Sequence, residues 1–191
     1  SCRAVIMARK CLSERVQASI TNGDYYGAQQ LIKALSARHR ARGKHSEAAL
    51  LIGQGIDAMT EQGQHVIASE LGLMLLQASV GLDENKLIAP DLLMLLCRTA
   101  TGLSQCEGGG YANAVQFLES CIRCTVEAAK KARPELPEHH GSPELHAALA
   151  SLHANHSEYI HAQKHFLRAA VPEEFGAFLL QWAEFVLPCE R

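Results

Sequence analysis

Apolar residues recur at helical spacing along almost the whole chain, and no stretch alternates polar with apolar residues long enough to make a strand. That periodicity restricts the fold to the all-α class. Glycines then divide the chain into lengths. A first helix is expected over about residues 3–20, stopping at Thr21-Asn22-Gly23, and a second over about 24–42, with Asp24 as N-cap and Gly43 as its stop. The third covers about 44–62 before Gly63, and the fourth about 65–80 before Gly81. Glycine suits a helix end because it adopts the left-handed cap conformation at no steric cost. Four such stops in succession predict short helical hairpins.

Pro90 fits the first turn of a fifth helix reaching about Leu103, where its missing N–H would be unpaired in any case. After a Gly108-Gly109-Gly110 loop, a sixth helix is expected over about 111–132, followed by the longest loop, through Pro134, Pro137 and Gly141. Ser142 is expected to cap a seventh helix with Pro143 in its first turn, Ser157 to cap an eighth reaching about Ala170, and Pro172 to open a ninth. About nine antiparallel helices on short loops make either a bundle or a solenoid. An echo favours the solenoid. Asp24-Tyr25-Tyr26-Gly27-Ala28-Gln29 and Glu158-Tyr159-Ile160-His161-Ala162-Gln163 share acid-Tyr-x-x-Ala-Gln, which sets a large and a small residue on one helix face. The reading is a single α-solenoid domain over residues 1–191, built from degenerate TPR-like hairpin repeats.

The ninth helix carries the strongest apolar stripe: Phe175, Phe178, Leu179, Trp182, Phe185 and Val186. Such a face needs a cover. A solenoid normally ends in a polar cap, so the natural protein is expected to continue past residue 191, with these residues as its front portion. Packing of the stripe back onto helix eight fits the pattern equally well.

A net charge of −2 conceals an asymmetry, since residues 1–50 hold nine Lys and Arg against three Asp and Glu, and residues 51–191 hold nine against seventeen. The longest apolar run, Leu92 to Cys97, falls far short of a membrane span. No secretory leader pattern opens the chain, whose first residue is Ser rather than Met, as expected of a trimmed sequence. Seven cysteines, an odd count within apolar segments, suit reduced thiols and a cytosolic protein.

Catalytic patterns are missing. Cys121-Ile122-Arg123-Cys124 has half the spacing of a zinc knuckle but lies in a helical pattern with no second pair, and reads as two buried thiols. His146, His153 and His156 fall near one face of helix seven and its end, and His161 and His165 form an i, i+4 pair on helix eight, without the H-E-x-x-H of a zinc site. Satisfied or exposed histidines are expected, with no metal and no cofactor. The Gly108–Gly110 loop lacks the G-K-[ST] that grips phosphate. No enzyme is expected.

The feature above background is basic. Lys33, Arg38, Arg40, Arg42 and Lys44, with His39 and His45, crowd the end of helix two and the start of helix three, near Arg9, Lys10 and Arg15. With Tyr25 and Tyr26 close by, this suits docking onto an acidic protein surface. A helical-repeat RNA-binding module using the same face is the alternative, although aromatic residues are sparse for stacking bases.

Gly23-Asp24-Tyr25-Tyr26-x-Ala28-x-Gln30, Arg38-His39, Lys44-His45-Ser46-Glu47-Ala48 and Gly55, followed by Gly141-x-Pro143-x-Leu145-His146, Tyr159 and His165-Phe166-Leu167, resemble the Golgi-to-ER traffic protein four family of the tail-anchored-protein targeting pathway. The resemblance implies an α-solenoid adaptor in the cytosol without catalysis. Its front would dock on a homodimeric targeting ATPase, and a rear half, largely missing here, would hold a ubiquitin-like protein. No nucleic-acid partner and no membrane insertion are implied. The ATPase-docking front would be residues 1–82 and the middle helices 83–191. Carried over, the docking residues are Tyr25, Tyr26, Lys33, Arg38, Arg42 and Lys44. Glu70, in a Glu-Leu pair on the fourth helix, takes the place of an acid that modulates the partner's ATP hydrolysis.

Overall fold

The computed structural model describes residues 13–79, 90–132, 134–135 and 138–186. Among these residues lie nine helices and no strand: α1 (Glu14–Thr21), α2 (Tyr25–Ala41), α3 (His45–Glu61), α4 (His65–Ser79), α5 (Pro90–Ser104), α6 (Gly110–Ala132), α7 (Pro143–Asn155), α8 (Tyr159–Ala169) and α9 (Pro172–Val186). Each helix from α1 to α8 packs on its successor. Contacts also run two helices along, α2 to α4, α3 to α5, α4 to α6 and α5 to α7. That second set distinguishes stacked hairpins from isolated ones, and makes the fold the expected all-α solenoid.

The turns explain the regularity. Gly23, Gly43 and Gly63 recur every 20 residues with φ of 76°, 73° and 69°. In each turn the residue after the glycine donates its N–H five residues back: Asp24 to the Ser19 carbonyl, Lys44 to that of His39, and Gln64 to that of Met59, at 2.8–2.9 Å. These are Schellman closures, which satisfy the carbonyls left open at a helix end. A fourth copy ends α7, where Glu158 donates to the His153 carbonyl at 2.9 Å and Ser157 takes the left-handed position at φ 61°. Ser157 is therefore not the cap of α8. It completes the turn that glycine makes elsewhere, and Glu158 stands at the N-cap without a side-chain cap bond.

Two further boundaries differ from expectation. The helix expected over 3–20 does not run through Ser13, which is the N-cap of α1: its backbone is extended (φ −57°, ψ 145°) and its hydroxyl accepts the Val16 N–H. A serine there satisfies one of the free N–H groups of the first turn. Ser142 holds the N-cap position of α7, but its hydroxyl donates to the Glu144 carboxylate instead of accepting from the backbone. Its own N–H donates to Thr125 Oγ1 at 3.1 Å, pinning the incoming loop to α6. Asp24 caps α2 as expected, accepting the Gly27 N–H at 2.9 Å. Residues 3–12 and Gly81 lie outside the described residues.

The main core runs through α1 to α7, with Ile32, Ile52, Ile56, Leu71, Leu96 and Leu118 fully buried. Burying one such side chain contributes about 1.5–3 kcal/mol. Helices α2 and α3 approach closely at Gly55, where an added Cβ would lie 2.6 Å from Ile32 Cδ1. A second, smaller cluster joins α7, α8 and α9 through Ala150, Ala154, Tyr159, Ala162, Phe166 and Phe178. Phe175 and Trp182 pack against it half-buried, so the α9 stripe does fold back onto α8. Burial of the whole stripe does not occur: Leu179, Phe185 and Val186 stay exposed, because α9 offers apolar residues over a wider arc than α8 covers.

Candidate protein-docking face

Helix α2 carries four of the seven nominated residues, and Arg42 is its C-cap. Tyr25 is half-buried against the main core, and its hydroxyl donates to Gln62 Oε1 at 3.4 Å, across to the end of α3. Tyr26 points outward at 69% exposure. Lys33 lies 3.2 Å from Glu70 Oε2 on α4. The same oxygen accepts from Gln29 Nε2 at 2.7 Å, and Gln29 is almost fully buried. Glu70 is thus tied to α2 by one cation and one buried amide.

Lys44 is compensated as well. Its ammonium reaches both Glu47 carboxylate oxygens, at 2.8 and 3.1 Å, and His39 Nδ1 lies 3.0 Å from one of them. Hydrogen bonding to Lys44, with a smaller contribution from His39, holds the Glu47 carboxyl below its usual range. Arg38, Arg40 and Arg42 have no ion-pair partner among the described residues. All three sit in or just past the last turn of α2, where a cation gains about 0.3–1 kcal/mol from the carbonyl end of the helix.

Helical geometry divides the nominated set. At 3.6 residues per turn, Lys33 lies roughly 20° and Arg40 roughly 40° from Tyr26 on the side facing α4, whereas Arg38 and Arg42 lie roughly 120° and 160° away on the other. Arg38 is also about 18 Å from Tyr26 along the axis. The structure therefore brings Lys33 and Glu70 together on one flank and sets Arg38 with Arg42 on the opposite flank, while Tyr25 turns to the end of α3. Arg40 joins His45, Ala48, Ala49, Ala78 and Ser79 around a shallow hollow between α2, α3 and α4.

Two functional neighbours escaped the sequence reading. Gln29, a polar residue within an apolar stripe, gave no sign that it meets a carboxylate 41 positions away. Glu47 did leave a signal, since a Lys followed three residues later by Glu on a helix start pairs readily.

Elsewhere the chemistry is quiet. Cys121 is buried and burial pushes its thiol well above the ordinary range; Cys124 is raised too, again chiefly by desolvation. Both are free, and a protonated buried thiol is a poor nucleophile. Among the described residues, no group of three or more His, Cys, Asp or Glu is disposed to hold a metal ion, and no helix is long and apolar enough to cross a membrane.

The sequence profile of the family described as Golgi to ER traffic protein 4 matches residues 42–189. The Golgi to ER traffic protein 4 homologue of Bos taurus is 25% identical over 169 residues, an alignment covering 88% of this chain and 48% of the relative. The human homologue is also 25% identical over 169 residues, covering 88% and 47%. That of Dictyostelium discoideum is 26% identical over 185 residues, covering 94% and 54%. The chain spans about half the length of these curated relatives. Arg42, Lys44 and Glu70 lie within the profile match, and Tyr25, Tyr26, Lys33 and Arg38 precede it. With the match extending from the end of α2 through α9, the chain belongs to the Golgi to ER traffic protein 4 family.

Proposed function

We propose that this chain is a non-catalytic cytosolic adaptor in the targeting of tail-anchored membrane proteins, docking on the homodimeric targeting ATPase through the front of the solenoid. The observation that carries the reading is the unpaired arginine flank of α2. Arg38 and Arg42 are free of the carboxylates that occupy Lys33 and Lys44, so their charge is available to an acidic partner. Tyr26, exposed on the other side of α2 and about 18 Å from Arg38 along its axis, supplies a separate aromatic contact. Association of this kind is steered by charge and weakened by salt. The ubiquitin-like partner belongs, on the same reading, to the rear half of the family's proteins.

Glu70 acts as the regulatory acid in this proposal, and it must exchange Lys33 and Gln29 for a group on the ATPase. Glu70→Gln should then alter ATP hydrolysis by the partner more than it alters affinity. The test of docking is the association rate of the chain with the ATPase, at low and at moderate salt, for the native sequence and for Arg38→Glu with Arg42→Glu. The double reversal should slow association about tenfold at low salt and flatten its salt dependence. Unchanged kinetics would remove the flank from the mechanism. Retention of single-stranded or duplex RNA at moderate salt, with no ATPase binding, would favour the RNA-binding reading instead.

A further inference from the structure

Four histidines gather where α7 meets α8. His146 is buried, and its Nε2 lies 2.6 Å from the His140 carbonyl oxygen. A carbonyl only accepts, so this nitrogen carries the hydrogen. A neutral imidazole has one N–H, which leaves His146 Nδ1 as an acceptor. The atom facing it, at 2.8 Å, is Nδ1 of His165 on α8, which must therefore donate. The rings stack with centroids 5.1 Å apart. His153, also buried, continues the stack, 5.6 Å from His165 and 5.4 Å from His161. Its Nδ1 lies 2.8 Å from the Tyr111 hydroxyl on α6.

We propose that this stack is an acid-sensitive latch on the α7–α8 hairpin, in which the hydrogen bond between His165 and His146 joins the two helices only while at least one of the two rings is neutral. A proton added to His146 can go only to Nδ1, and the bond then survives with His165 as acceptor, its own hydrogen moved to Nε2. A second proton makes both facing Nδ1 atoms donors, and the link is lost. Even the first proton places a cation in a stack whose His146 and His153 rings are buried.

The surroundings oppose that cation. Arg168 and His161 on α8 and His140 in the preceding loop face the stack, and His140 lies 3.3 Å from the Glu138 carboxylate. Glu158, at the N-cap of α8, is the one carboxylate acting on His153, which also faces His156. From α6 the stack meets Tyr111. Glu144, at the start of α7, faces Cys97 of α5 and is occupied by Ser142. Helix α9 covers the other side of α8 with Phe166 neighbours Phe175 and Phe178, which do not titrate. Burial, and then the neighbouring imidazoles, push His165 down to about 4, and burial lowers His146 and His153 as well.

The sign follows from these directions. A histidine held below its ordinary 6.5 stabilises the fold fully above that pH, and the contribution is lost as the pH falls towards the folded value. For His165, moving from pH 7.5 to 5 corresponds to about a thirty-fold increase in the opening equilibrium. The loss is confined to the α7–α8 contact, because α7 stays seated on the main core through Leu145 and Leu149 while the buried residues of α8 belong to the smaller cluster. Acidification therefore opens the rear hairpin while α2 to α4 stay closed.

The test is a histidine ring titration by NMR on the whole chain, together with native-state amide exchange at pH 7.5 and 5, corrected for intrinsic rates. His165 should titrate below pH 5.5 and His146 below its ordinary range, and protection of α8 should fall at least tenfold relative to α3 and α4. His165→Gln can either donate to or accept from His146 and does not itself titrate, so the link survives charging of His146 and the pH-dependent loss should fall to less than threefold. Titration of both rings near 6.5, or an undiminished loss of protection in His165→Gln, would overturn the proposal. Should the variant not fold, the ring titration of the native chain decides alone.

Discussion

Ser157 and Gly43 occupy the same position in two copies of one turn, and exchanging their residue types should move stability in opposite directions. Ser157 sits at φ 61° and Gly43 at φ 73°. Left-handed backbone costs an L-residue about 1–2 kcal/mol and glycine almost nothing. Ser157→Gly relieves that strain but loosens the unfolded chain by about 0.4–1 kcal/mol, leaving a net gain of about 0.5–1 kcal/mol. Gly43→Ala should lose about as much, and by backbone strain alone, because nothing lies within 4 Å of the Cβ it would add. Ser157 is exposed and has no side-chain hydrogen-bond partner among the described residues, so no bond is sacrificed in the first exchange. For a chain of this size the shift is about 1–4 °C in Tm, upward for Ser157→Gly and downward for Gly43→Ala. Thermal unfolding followed by circular dichroism at neutral pH reads both. A fall in Tm for Ser157→Gly would refute the assignment of these turns to one strained geometry.

Other consequences concern the polar tie, the rear core and the thiols. Gln29→Leu removes the buried donor to Glu70 and should cost about 1 kcal/mol in urea unfolding, since the half-exposed carboxylate recovers water; no change would mean the bond is idle. Phe178→Ala should cost about 3–5 kcal/mol and the largely exposed Phe185→Ala under about 1 kcal/mol, so equal losses would contradict the one-sided packing of α9. Native-state alkylation followed by mass spectrometry should label Cys106 well before Cys121, and the reverse order would contradict the burial of α6.

Helix ends were legible where the sequence supplies a residue with a strong conformational preference. Gly43 and Gly63 stop α2 and α3, Asp24 starts α2, and Pro90, Pro143 and Pro172 each open a helix. The turn at Ser157 was not, because its geometry is inherited from the fold and the sequence there lacks glycine. The α9 stripe identified an apolar helix correctly, yet periodicity measures the width of a face and says nothing of how much a neighbour covers. Phe178 is buried and Phe185 is not, although both belong to that stripe. At the candidate docking face, charge counting marked the segment where the cations lie. It could not separate Lys33, compensated from 37 positions away, from Arg38, which is not compensated. The division of Arg38 and Arg42 from Tyr26 around α2 needed only helical arithmetic.

Calorimetric titration of the chain into the homodimeric targeting ATPase, with and without Mg-ATP and at two salt concentrations, tests the adaptor reading most directly. The account predicts binding that depends on nucleotide, weakens with salt, and loses most of its salt dependence when Arg38 and Arg42 are reversed to Glu. Absence of binding at both salt concentrations by a chain shown to be folded would contradict it.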